Sequence, residues 1–319
     1  MEMRSLGTSD IQITPIIMGT WQAGKGSWID IEDEQTIKAI RQAYEVGITT
    51  IDTAEVYGNG YSERIVAQAV SDIRDKVVIA SKVFADHLQH DQVIAACERS
   101  LKNLKTDYLD LYQIHWPSGA FGSEQIPISE TMSALSKLKE QGKIRAIGVS
   151  NFDRTQLEEA SQYGRIDSLQ PPYSLFWRGV ENDAMPYCIE HKISILAYSS
   201  LAQGLLTGKF TSDHQFAPGD IRLKNKLFKG ENYQHSQQAL EQLRPFAENH
   251  QCSLAQLALA WLIAQPQTHA IAGARNASQV LDNAQAVSVN LSADELQEID
   301  RIGQQVTAHL DDNPVMWNF

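Results

Sequence analysis

The segment DEQTIKAIRQAYEVGITTIDTAEVYGNG, residues 33–60, holds a helix, a strand and a loop of polar groups in that order. From Asp33 to Gly47 apolar residues recur at intervals of three and four and a glycine closes the run, which is the pattern of an amphipathic helix. TTIDTA (49–54) is short, β-rich and apolar, as a strand of a buried parallel sheet is. It reaches Asp52 and passes into a loop with Tyr57, Gly58 and Gly60. Turn chemistry alone accounts for an Asp, a Tyr and two glycines taken singly. A strand that carries reactive groups at its end accounts for them together.

The same grammar runs through the chain. Apolar β-rich runs stand at IIMGTW (16–21), TTIDTA (49–54), VVIASKV (77–83), YLDLYQIHW (108–116), IRAIGVS (144–150), SLQPPYS (168–174), SILAYSS (194–200) and HAIAGAR (269–275). Amphipathic segments separate them; PISETMSALSKLKEQG (127–142) has Pro at its start and Gly at its end, as helices prefer. A right-handed series of eight strand–helix units closes into a (β/α)8 TIM barrel. MRSLGTSDIQIT before the first run reads as a β-hairpin over the barrel floor, and SADELQEIDRIGQQV (292–306) adds a helix beyond the last unit, before a tail. Residues 201–234 exceed the repeat, and loops of that length are usually functional or disordered. Nothing in the composition divides residues 1–319, so a single domain is expected.

The 319 residues are 43% hydrophobic and 21% charged, an ordinary globular composition, and 27 Lys and Arg against 39 Asp and Glu give a net charge of −12. That balance argues against nonspecific binding to nucleic acid or an acidic membrane. No apolar run approaches the length of a membrane span and the first residues lack a secretory pattern, so a cytoplasmic protein is expected. Cys97, Cys188 and Cys252 are odd in number and far apart, and His87, His90 and His191 lack ligand spacing; we expect neither disulfides nor a metal.

Barrel enzymes place reactive groups at the carboxyl ends of their strands. Those ends carry Gly19, Thr20, Trp21, Asp52, Lys82, His115, Trp116, Ser150, Asn151, Gln170, Tyr198, Ser199, Gly273 and Arg275. A lysine in a barrel interior needs a counter-ion, and Asp52 is the obvious one. A structural ion pair would explain those two alone; Tyr57 and His115 at the same mouth suggest proton transfer. A phenol of pKa ~10 is a weak acid at neutral pH. An ammonium about 4 Å away at an effective dielectric of roughly 20 contributes about 4 kcal/mol. We therefore expect Asp52 to anchor Lys82, Lys82 to acidify Tyr57 against the opposing effect of burial, and neutral His115 to orient a carbonyl oxygen. Trp21 and Trp116 would wall the substrate pocket.

No G-x-G-x-x-G follows a strand, so a Rossmann dinucleotide site is unsupported, and GLLTGKF (204–210) fails the P-loop spacing. The ordered set GTW, IDTAEVYGNGYSE, ASKV, DYLDLYQIHWP, GKIRAIGVSNF, QPPYSL, AYSSLAQGLLTGKF and AGARNASQVLDN resembles the aldo-keto reductase superfamily over essentially the whole chain, near the branch that includes potassium-channel β-subunits. The resemblance implies a tetrad of Asp52, Tyr57, Lys82 and His115, with Tyr57 as proton donor to an aldehyde or ketone and NADPH as the reductant. It implies Gly19, Thr20 and Trp21 at the cofactor site, Ser150, Asn151 and Gln170 on the carboxamide, and Tyr198 against the nicotinamide. Ser199, Leu201, Gln203 and Gly204 would follow the pyrophosphate under Lys209 and Arg222. The adenosine end would meet Gly273, Arg275, Gln279, Asp282 and Asn283. Some branches have Lys-Ser where this chain has Gly273-Ala274, which leaves Arg275 to meet the 2′-phosphate.

Two rivals stay open at this point. A Schiff-base aldolase would use Lys82 as nucleophile, though Asp52 keeps the amine protonated. A regulatory module resembling potassium-channel β-subunits would bind the cofactor for a partner protein, though no extended segment precedes the hairpin. Neither the oligomeric state nor the path of the DDNPVMWNF tail (311–319) can be read from the sequence.

Overall fold

The eight β-rich runs form a closed barrel of parallel strands, with the amphipathic segments packed around it, in the computed structural model, which describes residues 1–26, 28, 30–311, 313 and 315–317. An antiparallel hairpin, β1 (Arg4–Ser5) and β2 (Gln12–Ile13), comes first. The barrel follows as β3 (Ile16–Gly19), β4 (Thr50–Asp52), β5 (Val78–Val83), β6 (Leu109–Ile114), β7 (Ile144–Ser150), β8 (Ser168–Gln170), β9 (Ser194–Ala197) and β10 (Thr268–Gly273). β10 pairs with β3 in register Ile271↔Ile17 and closes the ring.

Several strands are shorter than their apolar runs, whereas β7 fills its own. β8 stops at Gln170, since Pro171 and Pro172 offer no N–H to a ladder. Their carbonyl side still pairs: Tyr198 N donates to Pro171 O at 3.0 Å. The expected hairpin seals the floor of the barrel. Its Leu6, Ile11 and Ile13 pack against Ile17, Ala80, Leu111, Ala146, Leu196 and Ile271, which point into the barrel. Each of these buried Leu and Ile side chains contributes about 1.5–3 kcal/mol relative to exposure; the floor is filled by them, and reactive groups belong at the opposite end.

The helices end as their residues dictate. Asp33–Glu45 buries Thr36, Ala39, Ile40 and Ala43 on one stripe, and Ile128–Glu140 starts directly after Pro127. Arg154–Tyr163 begins with a capping box between Asp153 and Gln156 and buries only Leu157 and Ala160, leaving its charged face to solvent. The long connection after β9 is a chain of 3₁₀ turns (Ala202–Thr207, Ile221–Lys224, Lys226–Phe228) followed by the helix Gly230–Asn249. The expected C-terminal helix spans Ala293–Thr307. Among the described residues no helix is long and apolar enough to cross a membrane, and the three cysteines are unpaired.

Candidate active site

Three neighbouring strands bring the expected tetrad to one mouth. Asp52 ends β4, Lys82 lies on β5, His115 follows β6, and the loop after β4 carries Tyr57. That loop is held by backbone contact: a Cβ at Gly58 would lie 2.5 Å from Gly24 O, and one at Gly24 would lie 2.6 Å from the Tyr57 carbonyl carbon. Gly58 also sits at φ +66°, in the left-handed region that glycine enters without strain. Two glycines thus let the β3 and β4 loops touch and fix Tyr57 over the strand ends.

Lys82 is fully buried. Its Nζ donates to Asp52 Oδ1 at 2.6 Å and to Thr53 O at 2.9 Å, and lies 3.5 Å from Tyr57 Oη. The second Asp52 oxygen accepts from Gln170 Nε2 at 2.9 Å. His115 packs edge-on to Tyr57 with ring centroids 5.6 Å apart. Its backbone N–H donates to Val83 O at 2.9 Å, and its carbonyl accepts from Asn151 Nδ2 at 3.0 Å.

The electrostatics correct one expectation. Burial pushes the Tyr57 phenol well above its ordinary value, and the Asp52 charge adds to the rise. Lys82 does not reverse this: the phenolate would be desolvated, and the carboxylate that holds the ammonium offsets its field. Burial also pushes the Lys82 ammonium down, against the opposing pull of Asp52. His115 is held well below the ordinary imidazole value by burial and then by the Lys82 charge, so it is neutral, as expected. At neutral pH the mouth therefore presents a protonated phenol and an uncharged imidazole.

A groove of about 650 Å³ crosses this mouth. Its lining includes Asp52, Tyr57, His115, Trp21, Trp116 and every residue expected at the cofactor site: Gly19, Thr20, Ser150, Asn151, Gln170, Tyr198, Ser199, Leu201, Gln203, Gly204, Lys209, Arg222, Gly273, Arg275, Gln279, Asp282 and Asn283. Lys82 lies beneath it, fully buried with its Nζ bonded to Asp52 and Thr53, a setting that disfavours a Schiff-base nucleophile.

One end of the groove is suited to anions. Ser199, Ala202, Gln203 and Gly204 all have positive φ, of 51°, 48°, 54° and 94°. Two of their N–H groups close the turn itself, Ala202 N on Ser199 O at 2.7 Å and Gly204 N on Leu201 O at 2.9 Å, which brings the turn to the groove. A Cβ on Gly204 would lie 3.6 Å from Lys209 Nζ, so that ammonium stands over the same turn. The Gln203 amide nitrogen is buried without a hydrogen-bond partner. Burial, then the charges of Arg222 and Arg275, push the Lys209 ammonium down. Burial, then the charge of Arg222, likewise pushes the Arg275 guanidinium down. Crowded cations of this kind fit a polyanion such as a dinucleotide. They are not equivalent: Arg222 is already paired with Asp220, whereas Arg275 is in no salt bridge among the described residues.

Several other groove residues turn inward to the protein. Asp282 accepts from Gln256 Nε2 at 2.6 Å, and Gln279 Oε1 accepts the Arg275 N–H at 2.8 Å. Both shape the end of the groove through these bonds as well as through their surfaces.

Among the lining side chains that sequence reasoning missed are Gln22, Trp28, Phe84 and Phe121. Gln22 donates to Gly19 O at 3.1 Å and Ala274 O at 3.0 Å, tying β3 to β10. Trp28 stands edge-on to Trp21 and 5.8 Å from both the Arg222 and Arg275 guanidiniums. Phe84 stacks on Phe121, which is edge-on to Trp116. Phe84 directly follows β5 and was legible as a strand-end residue; the other three depend on how loops return. The tail also reaches the groove. Trp317 is buried, lies parallel to Tyr198 at 6.2 Å, and bridges to Asn225, while Lys226 binds Met316 O at 2.9 Å and Asp311 Oδ1 at 2.7 Å. Among the described residues no group of three or more His, Cys, Asp or Glu is arranged to hold a metal.

Known proteins share both the sequence and this architecture. Residues 15–304 match the aldo/keto reductase family, and the chain belongs to that family. It is 36% identical over 314 residues to the NADH-specific methylglyoxal reductase of Escherichia coli, covering 92% of this chain and 95% of that protein. The structure of the glycerol dehydrogenase AKR11B4 from Gluconobacter oxydans superposes with a TM-score of 0.87 at 32% identity, covering 97% of each chain. An aldo-keto reductase from Klebsiella pneumoniae in complex with NADPH superposes with a TM-score of 0.76 at 32% identity, covering 97% of this chain and 95% of that one. The chain is therefore an oxidoreductase of the aldo/keto reductase family, with a TIM barrel and a groove fitted to a nicotinamide dinucleotide.

Proposed function

We propose that residues 1–319 act as one catalytic unit that reduces a small aldehyde or ketone to an alcohol, with NADPH as reductant and Tyr57 as the proton donor. The observation that carries this reading is the Tyr57 hydroxyl, 3.5 Å from the Lys82 Nζ that Asp52 holds, in the lining of the groove. When bound, the dihydronicotinamide supplies a hydride to the carbonyl carbon. Tyr57 gives its proton to the oxygen as negative charge develops there, and Lys82 then faces a forming phenolate, the state its charge favours. Neutral His115 donates a hydrogen bond to the same oxygen and sets its orientation. Trp21, Trp116, Phe84 and Phe121 exclude water from the reacting carbon.

Ser150, Asn151 and Gln170 are the proposed carboxamide ligands, with Tyr198 as the stacking platform. The pyrophosphate is assigned to the 199–204 turn with Lys209. Arg275 is the proposed 2′-phosphate ligand. The relatives differ here, one being named NADH-specific and another crystallised with NADPH, so the local charges have to carry the choice. A charge-assisted contact from Arg275 contributes about 1.5–3 kcal/mol, or about 10- to 150-fold in preference for NADPH over NADH. Arg275→Ala is expected to raise the NADPH KM by that factor with little change in kcat and no change in the NADH KM. Steady-state kinetics with both cofactors measure it; an unchanged cofactor ratio would remove Arg275 from phosphate recognition.

Acidic balance and the absence of a basic surface stripe in the sequence support a small-molecule substrate and not nucleic acid. Unpaired cysteines support a reducing, cytoplasmic setting.

A further inference from the structure

Gln170 touches both the groove and the acid pair. Its Nε2 donates to Asp52 Oδ2 at 2.9 Å. A carboxylate has no proton to give, so the amide has to turn its NH2 toward Asp52 and its carbonyl oxygen away. Asp52 then has one oxygen on Lys82 and the other on Gln170, with all three residues buried. The Gln170 backbone is equally constrained: its carbonyl accepts from Ser150 Oγ at 2.7 Å and from Asn151 N at 3.1 Å. The Asn151 side chain in turn donates to His115 O and accepts from Tyr198 Oη at 2.8 Å.

We propose that Gln170 is a positioning residue for the proton-donor set: it fixes Asp52 in the rotamer that meets Lys82 and draws part of the carboxylate charge away from Tyr57. This rests on the reading of Tyr57 as proton donor. Without the amide, the second Asp52 oxygen is a buried acceptor lacking a donor, and the side chain rotates or draws Lys82 toward it. Either movement takes the ammonium away from the phenol. The carbonyl oxygen of Gln170 is the atom left to accept from a carboxamide, so one side chain would hold the cofactor and the acid pair together.

Gln170→Leu and Gln170→Glu test this through three measurements. NADPH affinity is read by quenching of tryptophan fluorescence, kcat is read across pH at saturating NADPH and methylglyoxal, and the Tyr57 phenol is followed through its ζ-carbon NMR signal, assigned by its loss in Tyr57→Phe. Gln170→Leu is expected to lose about 10- to 100-fold in kcat even at saturation, the scale of a misplaced catalytic group, and to shift the Tyr57 signal. In Gln170→Glu the introduced carboxyl can donate to Asp52 only when protonated, and burial beside a second carboxylate raises its pKa. Its kcat is therefore expected to climb as pH falls, a limb the wild type lacks. A variant pair that weakens NADPH binding but keeps kcat, or a Gln170→Glu profile parallel to the wild type, would overturn the positioning role. An unmoved Tyr57 signal in Gln170→Leu would overturn it without any turnover being observed. Wild-type protein that oxidises NADPH with no carbonyl at all would instead count against carbonyl reduction.

Discussion

Tyr57→Phe is expected to lower kcat by about 10²- to 10⁴-fold, the range a positioned proton donor contributes, while NADPH binds with unchanged affinity. The substitution removes one oxygen and leaves the ring, so the packing against Trp21 and His115 is retained. Only the acid is lost. The wild-type pH profile carries a matching expectation. Burial and the Asp52 charge hold the phenol protonated above its ordinary value of 10.0, and burial with the Lys82 charge holds His115 neutral below its ordinary 6.5. With the phenol raised, the donor is lost only when pH climbs beyond the ordinary phenol range. With the imidazole depressed, its charge appears only well below its ordinary value. Between these limits kcat is expected to be flat. An alkaline limb near neutrality would mean that Lys82 acidifies the phenol after all, whereas near-normal turnover by Tyr57→Phe measured with saturating cofactor would remove Tyr57 from the chemistry.

Lys82→Met is expected to have two large effects that can be separated. Removing one member of a buried ion pair leaves the other uncompensated, and such losses run to about 3–5 kcal/mol; urea unfolding measures this. Asp52 would keep only its bond from Gln170. Turnover is expected to fall by orders of magnitude as well, because the forming phenolate loses its cation. Adding Asp52→Asn to Lys82→Met gives a neutral pair of similar volume. That double variant is expected to recover much of the lost stability and none of the lost kcat. Recovery of both would mean that the pair serves only to hold the strands together.

The barrel was legible because a buried parallel strand and an amphipathic helix have different periods; β3 to β9 each fall within an apolar run, and β10 starts one residue ahead of its own. The tetrad was legible because a barrel presents its strand ends to one mouth, so Asp52, Lys82 and His115 could be read as neighbours from their places in three successive runs. What the sequence does not carry is the balance of opposing fields. Lys82 adjacent to Tyr57 suggests acidification; the fold adds that the phenol loses solvent at the barrel mouth and that Asp52 lies near enough to act on it too. Loop returns are hidden for a different reason. Trp28 and Trp317 reach the groove through contacts to residues far away in sequence, Arg222 and Asn225 among them, and no periodicity records such contacts. The proposed dinucleotide site was legible in part through the family resemblance, while the left-handed backbone at Ser199, Ala202, Gln203 and Gly204 involves three residues that are not glycine and would not be placed there from composition.

The most direct test of carbonyl reduction at this mouth follows the hydrogen itself. NADPH carrying deuterium on the transferred face of C4 is incubated with the enzyme and a panel of small aldehydes and ketones, and the product alcohols are examined by NMR. Hydride transfer predicts one deuteron on the carbinol carbon and a hydroxyl proton taken from solvent by way of Tyr57. A carbinol carbon bearing only solvent hydrogen, or no reduced product, would contradict the account.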